Sequence, residues 1–269
     1  MPVVVRQGLN NVIQKRIRLA LTGITLTVAA AAFMGIFSMY IAMNSKVEEA
    51  ADRVKFQVQI EPSSGQSPST VSTLIASSAN VEDVFPAAIV DLELQGVSTS
   101  DILDSQPDGS NLVEAVGIDP LNSPIEFDLL DGEGWESLSP DEVAMSHTAI
   151  LSSALAEEID KGVGDTITVS VPGLPPQSLE VIGIHDSVEE RLYVPLPMIA
   201  QDFDLVDETG AIMPNTFFVN IVDDNADPQD PNPAPEDVNA AVENLTETLA
   251  AQGISAETLT YASFLDQVT

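Results

Sequence analysis

"NTFFVNIV", residues 215–222, sets Phe217, Val219 and Ile221 at every second position, the spacing of a strand that buries one face. "PEDVNAAVENLTETLAAQG" (235–253) follows, with Val238, Val242, Leu245 and Leu249 at helical spacing, acids in the first turn and Gly253 as the stop. "ISAETLT" (254–260) supplies another strand. The same order stands near the other end of the chain. "VKFQVQI" (54–60) alternates Val54, Phe56, Val58 and Ile60 with polar residues. "SPSTVSTLIASSAN" (67–80) offers Ser67 and Pro68 as an N-cap and N1 pair, then Val71, Leu74, Ile75 and Ser78 down one side of a short helix. "VEDVFPAAIVDLELQG" (81–96) reads as a strand weakened near Pro86. Two β-α-β units therefore bracket the middle of the chain. The economical fold is α/β (α+β): one split α/β layer from residues 54–96 and 214–269, interrupted by a β-rich inserted subdomain over 97–213.

The insert has its own pattern. "LVEAVGID" (112–119) predicts a strand, and "LLDGEGW" (129–135) a Gly-containing turn. "DEVAMS" (141–146) leads into "HTAILSSALAEEIDKG" (147–162), where Leu151, Leu155 and Ile159 fall at i, i+4 and i+8 and predict a helix. "GDTITVSV" (164–171) and "SLEVIGIHD" (178–186), joined by "PGLPPQ", read as a hairpin, and "RLYVPL" (191–196) as one more short strand. "DDNADPQDPNPAPED" (223–237) is acidic and broken by prolines, the composition of a surface loop.

Charge divides the chain at its start. Residues 1–47 carry Arg6, Lys15, Arg16, Arg18 and Lys46 and no acid, a net +5; the remainder carries Arg53, Lys55, Lys161 and Arg191 against all 42 acids, a net −38, and the two give the chain its −33. Between them, Leu19 to Met43 is uncharged. As a helix that stretch is roughly 37 Å long, enough for a hydrocarbon core of about 30 Å. "VAAAA" (28–32) offers signal-peptidase-like sites, but the apolar character runs on through Phe33, Ile36, Phe37 and Ile41, which favours a retained anchor over a cleaved signal. Basic residues on its N-terminal flank place that end in the cytoplasm. The expected order is a cytoplasmic lead-in (1–18), a transmembrane helix (19–43), a stalk (44–53) and an extracytoplasmic domain. A domain of −38 argues against nucleic acid and anionic lipid surfaces as partners.

Chemistry finds few candidates. Cysteine is absent and histidine occurs twice, which removes disulfides, thiolate nucleophiles and Cys- or His-rich metal sites. GxxxxGK[ST] does not occur, and Lys161 precedes its glycines, so ATP hydrolysis within this chain is not expected. A Ser/His/Asp set could be drawn from Ser146, His147, His185 and Asp186, but GxSxG is missing. Ser146 reads more plainly as the N-cap of the helix after it, and His185–Asp186 as a solvent-edge pair. Asp223, Asn225 and Asp227 sit at positions 1, 3 and 5 of a Ca²⁺-type loop, yet Pro228 replaces its Gly and Ala234 its bidentate Glu. Trp135 and the other aromatics are too scattered for a stacking platform and are assigned to the core. In "KGVGDTITVSV" (161–171), Gly162, Gly164 and Asp165 punctuate a helix exit before a strand and imply no ligand. No catalytic, cofactor-binding or metal-binding residue is assigned, and no cofactor is expected.

Taken in order, "LNNVIQKRIRLALTGITLTVAAAA" (9–32) and "LLDGEGW…DEVAMSHTAILSSALAEEIDKGVGDTITVSV…SLEVIGIHD…RLYVPL" resemble the MacB/FtsX-like family of ABC-transporter permeases. The likeness lies in the order of pieces, most specifically over 129–195, and not in any single motif. It implies a non-catalytic subunit: a separate ABC ATPase on the cytoplasmic side, a second permease chain, and an ectodomain moved through the stalk, with a periplasmic or extracellular partner protein. The resemblance also implies further membrane helices, the second soon after Thr269. The alternatives are a stand-alone membrane-anchored binding or sensor domain, and an anchored enzyme using Ser146 or His185 and Asp186.

Overall fold

Alternating apolar residues set most of the strands of this chain. The computed structural model describes residues 53–63, 67–95, 112–139, 142–143, 146–171, 173–187, 189–222 and 233–260. The lead-in, the expected transmembrane helix, the stalk up to residue 52 and Asp223, Asn225, Asp227 and Pro228 lie outside them. Among the described residues no helix is long and apolar enough to cross a membrane. The chain runs β1 (Val58–Pro62), α1 (Pro68–Ala76), β2 (Val81–Gln95), β3 (Leu112–Ile118), β4 (Leu129–Gly132), a 3-10 turn at Trp135–Ser137, and β5 (Thr148–Ser152). It continues through α2 (Ser153–Glu158), β6 (Thr166–Ser170), β7 (Gln177–His185), β8 (Arg191–Pro195), α3 (Leu196–Asp202), β9 (Thr216–Ile221), α4 (Pro235–Ala251) and β10 (Ala256–Thr260).

The strands join in the order β10-β1-β9-β2-β3-β8-β5-β7-β4, with β6 pairing both β2 and β7. The first four form the split layer. β9 lies antiparallel between β1 and β2, and β1 antiparallel between β9 and β10. Each β-α-β unit thus skips one strand and interleaves with the other, as in a ferredoxin-like split βαβ layer. The register sets Val58 opposite Thr260 at the point where the layer begins and ends. α1 and α4 cover one face: Val71, Ile75, Val238, Ala241, Leu245 and Leu249 pack on Val58, Ile60, Phe217, Val219 and Ile221.

The β-rich part closes on itself. β2 pairs β3, β3 pairs β8, β8 pairs β5, β5 pairs β7, β7 pairs β6, and β6 returns to β2 through Glu93↔Ser170, Leu94↔Val169 and Gln95↔Thr168. The result is a six-stranded barrel with a filled interior. Every strand contributes, including Leu92, Val113, Leu151, Val169, Leu179 and Leu192. β5 and β8 run antiparallel and each leads straight into a helix, so α2 and α3 reach opposite mouths. Leu155 and Ile159 plug one mouth, and Met198, Ile199 and Phe203 the other. Gly117 makes the second closure possible, since a Cβ there would lie 2.5 Å from Ile199 Cγ2.

β2 belongs to both parts. Residues 81–87 pair with β9, and Ala88 to Glu93 with β3. Where β9 gives out, the Asn215 side chain takes its place: Oδ1 accepts the Ile89 N–H at 2.9 Å and Nδ2 donates to the Ile89 carbonyl at 2.8 Å. The Ile89 N–H therefore faces the β9 side. By alternation Pro86 lacks its N–H on the other side, where β3 begins only at Ala88, so the proline does not interrupt the strand. A third core lies on the outer wall of the barrel and the helix-free face of the layer. Phe85, Val116, Ile118, Ile150, Tyr193 and Phe218 meet Trp135 there, with Phe127 packed against them.

Three expectations need correction. The helix expected from residue 147 starts only at Ser153; Thr148–Ser152 is a fully buried strand. Ser146 is not the N-cap of that helix; the N-cap is Ser152, whose Oγ accepts the Leu155 N–H at 3.1 Å. Phe56 does not continue the face of Val58 and Ile60. It precedes β1, and its ring lies 4.2 Å from that of Phe218 in the third core.

Candidate functional site

A cluster of half-buried charged side chains gathers on the outer wall of the barrel at the α2 mouth. Parallel pairing of β3 and β8 sets Glu114 directly beside Arg191. Arg191 Nε lies 2.6 Å from Glu114 Oε1, and Nη1 lies 2.7 Å from Glu189 Oε2. Burial alone would lower the Arg191 pKa, but the Glu114 and Glu189 carboxylates outweigh it and the pKa is raised. Tyr193, two residues on and on the same side of β8, is pushed up to about 12, chiefly by burial, with Arg191 opposing. The His185 ring meets Phe127 edge-on at 5.3 Å, and Phe127 meets Tyr193 at 5.0 Å. Below them Ser152 Oγ accepts the Arg191 N–H at 3.1 Å, so one buried hydroxyl ties the end of β5 to the start of β8 and to α2. Each charge here has an opposite charge beside it, an arrangement that fixes strands.

The four residues from which a hydrolytic set could be drawn are dispersed. Ser146 Oγ donates to the Val143 carbonyl at 2.9 Å and lies 2.9 Å from Thr148 Oγ1, which accepts the Trp135 Nε1–H at 3.1 Å. His147 pairs through Nε2 with Asp202 Oδ2 at 3.1 Å, joining the start of β5 to the end of α3. His185 and Asp186 stand at the far end of β7, where Ser152 is opposite His185 and the Asp186 N–H donates to the Asp128 carbonyl at 2.8 Å. With β5 and β7 parallel, Ser146 and His185 are roughly 20 Å apart along the sheet. His185 is also buried, not at a solvent edge.

Among the described residues no group of three or more His, Asp or Glu stands close enough to hold a metal ion. An open depression of about 420 Å³ lies beside α2, lined by Ser153, Ala156, Glu157, Asp160, Lys161, Gly162, Asp165 and Ile184. It coincides with the stretch read as punctuation, and the punctuation is there: Asp165 Oδ2 accepts the Gly162 N–H at 2.9 Å, and Gly164 donates to the Val181 carbonyl at 2.8 Å. The ionic cluster at Arg191 was missed from sequence. The signal for it is that Arg191 is the only arginine after Arg53 in a chain rich in acids, and it lies in a strand.

A family model described as the MacB-like periplasmic core domain matches residues 19–259. No curated protein matches the chain. Among solved structures, the periplasmic region of MacB from Actinobacillus actinomycetemcomitans is 15% identical, covers 83% of this chain and 97% of its own, and has a TM-score of 0.47. The extracellular domain of the noncanonic ABC-type transporter YknZ from Gram-positive bacteria is 13% identical, covers 76% and 99%, and has a TM-score of 0.46.

Proposed function

The chain belongs to the family of MacB-like periplasmic core domains, and we propose on that premise that it is the permease subunit, not the ATPase, of an ABC-type transporter. The match itself carries the reading. It starts at residue 19, the first of the uncharged stretch, and runs into β10, which supports reading that stretch and the folded domain as parts of one unit. In this reading residues 1–18 are cytoplasmic, 19–43 cross the membrane, 44–53 form the stalk, and the rest stands outside. The ectodomain divides into the split layer (54–96 and 214–269) and the inserted subdomain (97–213). A separate ATPase and a second permease chain complete the assembly, and the chain does no chemistry of its own. Motion delivered to β1 passes by hydrogen bonds to β9 and by β2 to the barrel, a route that suits a mechanical coupler.

The absence of cysteine makes the topology directly testable, because one introduced thiol reports alone. In intact cells a membrane-impermeant maleimide should label Leu121→Cys, whereas Gln7→Cys should react only after permeabilisation. The reverse pattern would overturn the orientation. For the coupling, the tagged full chain purified from its host membrane in mild detergent should bring a Walker-motif ATPase with it. A chain recovered without one would leave a stand-alone anchored binding domain.

A further inference from the structure

We propose that the lip of the barrel at α2 is a docking surface for a segment of another protein that carries alternating basic and apolar side chains. The inference stands whether or not the chain couples to an ATPase. Among the described residues β4 is an edge strand, paired only with β7, and its register shifts between Leu129↔His185 and Asp131↔Ile184. Leu130 is the extra residue of that bulge, and it is 60% exposed. Bulges at sheet edges re-aim a side chain, and here the re-aimed one is a leucine. Val163, at 39% exposure, lies against the same strand at Gly132, two residues on: a Cβ there would lie 2.9 Å from its Cγ2. Gly132 has φ +82° and sits against the Ile182 carbonyl, so this position holds the lip open for Val163.

The depression adjoins that apolar lip through Gly162 and has Ile184 in its lining. Three carboxylates, Glu157, Asp160 and Asp165, face one ammonium, Lys161. The first two also sit at the carbonyl end of α2, where the helix dipole disfavours anions and a cation would relieve the conflict. Charge complementarity thus selects a basic occupant, and Leu130 with Val163 selects one with apolar side chains beside the charge. The chain's own undescribed segments do not complement it. Residues 96–111 and 223–232 carry only acids (Asp101, Asp104 and Asp108; Asp223, Asp224, Asp227 and Asp230), and 261–269 carry Asp266 alone. The basic residues of 1–47 belong to the membrane side in the reading above.

The test must separate this surface from diffuse attraction to an acidic protein. The full chain, held in zwitterionic lipid nanodiscs at about 0.15 M salt, is titrated into labelled peptides of alternating Arg and Leu or alternating Arg and Ser, with empty discs subtracted. The Arg-Leu peptide should bind about tenfold tighter. Leu130→Ser combined with Val163→Ser should erase that preference, and Leu121→Ser, at an equally exposed leucine elsewhere, should leave it. Both sites are exposed, and an unchanged thermal melt confirms that the variants fold. Equal binding of the two peptides to the native chain, or a preference that survives the double substitution, would overturn the proposal.

Discussion

Tyr193 shows how one side chain on the barrel wall is set by what surrounds it. Its hydroxyl is buried beside Arg191, and its pKa is pushed from 10.0 to about 12. A folded-state value above the unfolded one means that the unfolded chain ionises first as pH rises. The contribution of Tyr193 is then whole below about pH 10 and is lost progressively up to about pH 12, a fall of about 3 kcal/mol at most. Urea unfolding followed between pH 9 and pH 12 should show that decline, and Tyr193→Phe should flatten it while starting from lower stability. Parallel declines in both proteins would show that other groups govern the window. Little of this was legible in "RLYVPL". The strand could be read from its residues, but the partner of Arg191 on β3 is reached only by a parallel pairing, 77 positions back along the chain for Glu114.

At the level of elements, legibility followed the number of exposed faces. α4 and β10 each leave one face in solvent, so their periodicity is clean and the structure follows it; β9 is buried on both faces, and its alternation stays readable because the polar Thr216 and Asn220 share its second face with Phe218. β5 is buried on both faces: Ala149 and Leu151 point into the barrel while Ile150 joins the third core. A strand of that kind carries no alternation. Leu151, Leu155 and Ile159 then imitate a helical stripe because strand and helix both aim at the barrel interior. α3 went unread for a related reason, being short, introduced by Pro197 and buried at Leu196, Met198, Ile199 and Ala200. Within the layer, Asn215 is the element-scale device with the clearest consequence. Asn215→Ala should remove both bonds to Ile89 at the handover from β9 to β3 and, because the site is exposed to water, cost about 0.5–1.5 kcal/mol. Hydrogen exchange should show it as faster exchange at Ile89, with the α1–α4 core unaffected; an unchanged Ile89 would mean that water replaces the amide without loss.

For the whole molecule the governing quantity is charge. Past residue 47, four basic residues face 42 acids, and such self-repulsion opposes the compact state until salt screens it. Raising NaCl from about 0.05 M to about 1 M should therefore raise the melting temperature on the order of 5 °C. A flat response would mean that the carboxylates are spaced widely enough not to feel one another. The split layer could be anticipated at this scale because both its halves are local β-α-β units. Barrel closure could not, since it rests on β6 meeting the tip of β2, where Gln95 Nε2 donates to Ser170 Oγ at 3.0 Å across 75 positions of sequence. One detail of the layer bears on how the domain takes load. With Val58 opposite Thr260 in adjacent antiparallel strands, the chain enters and leaves at a single corner. Tension that drew those two ends apart would unzip β1 from β10 one bond at a time, at low force. A displacement applied to both ends together would load no single bond and would swing the whole domain as a lever.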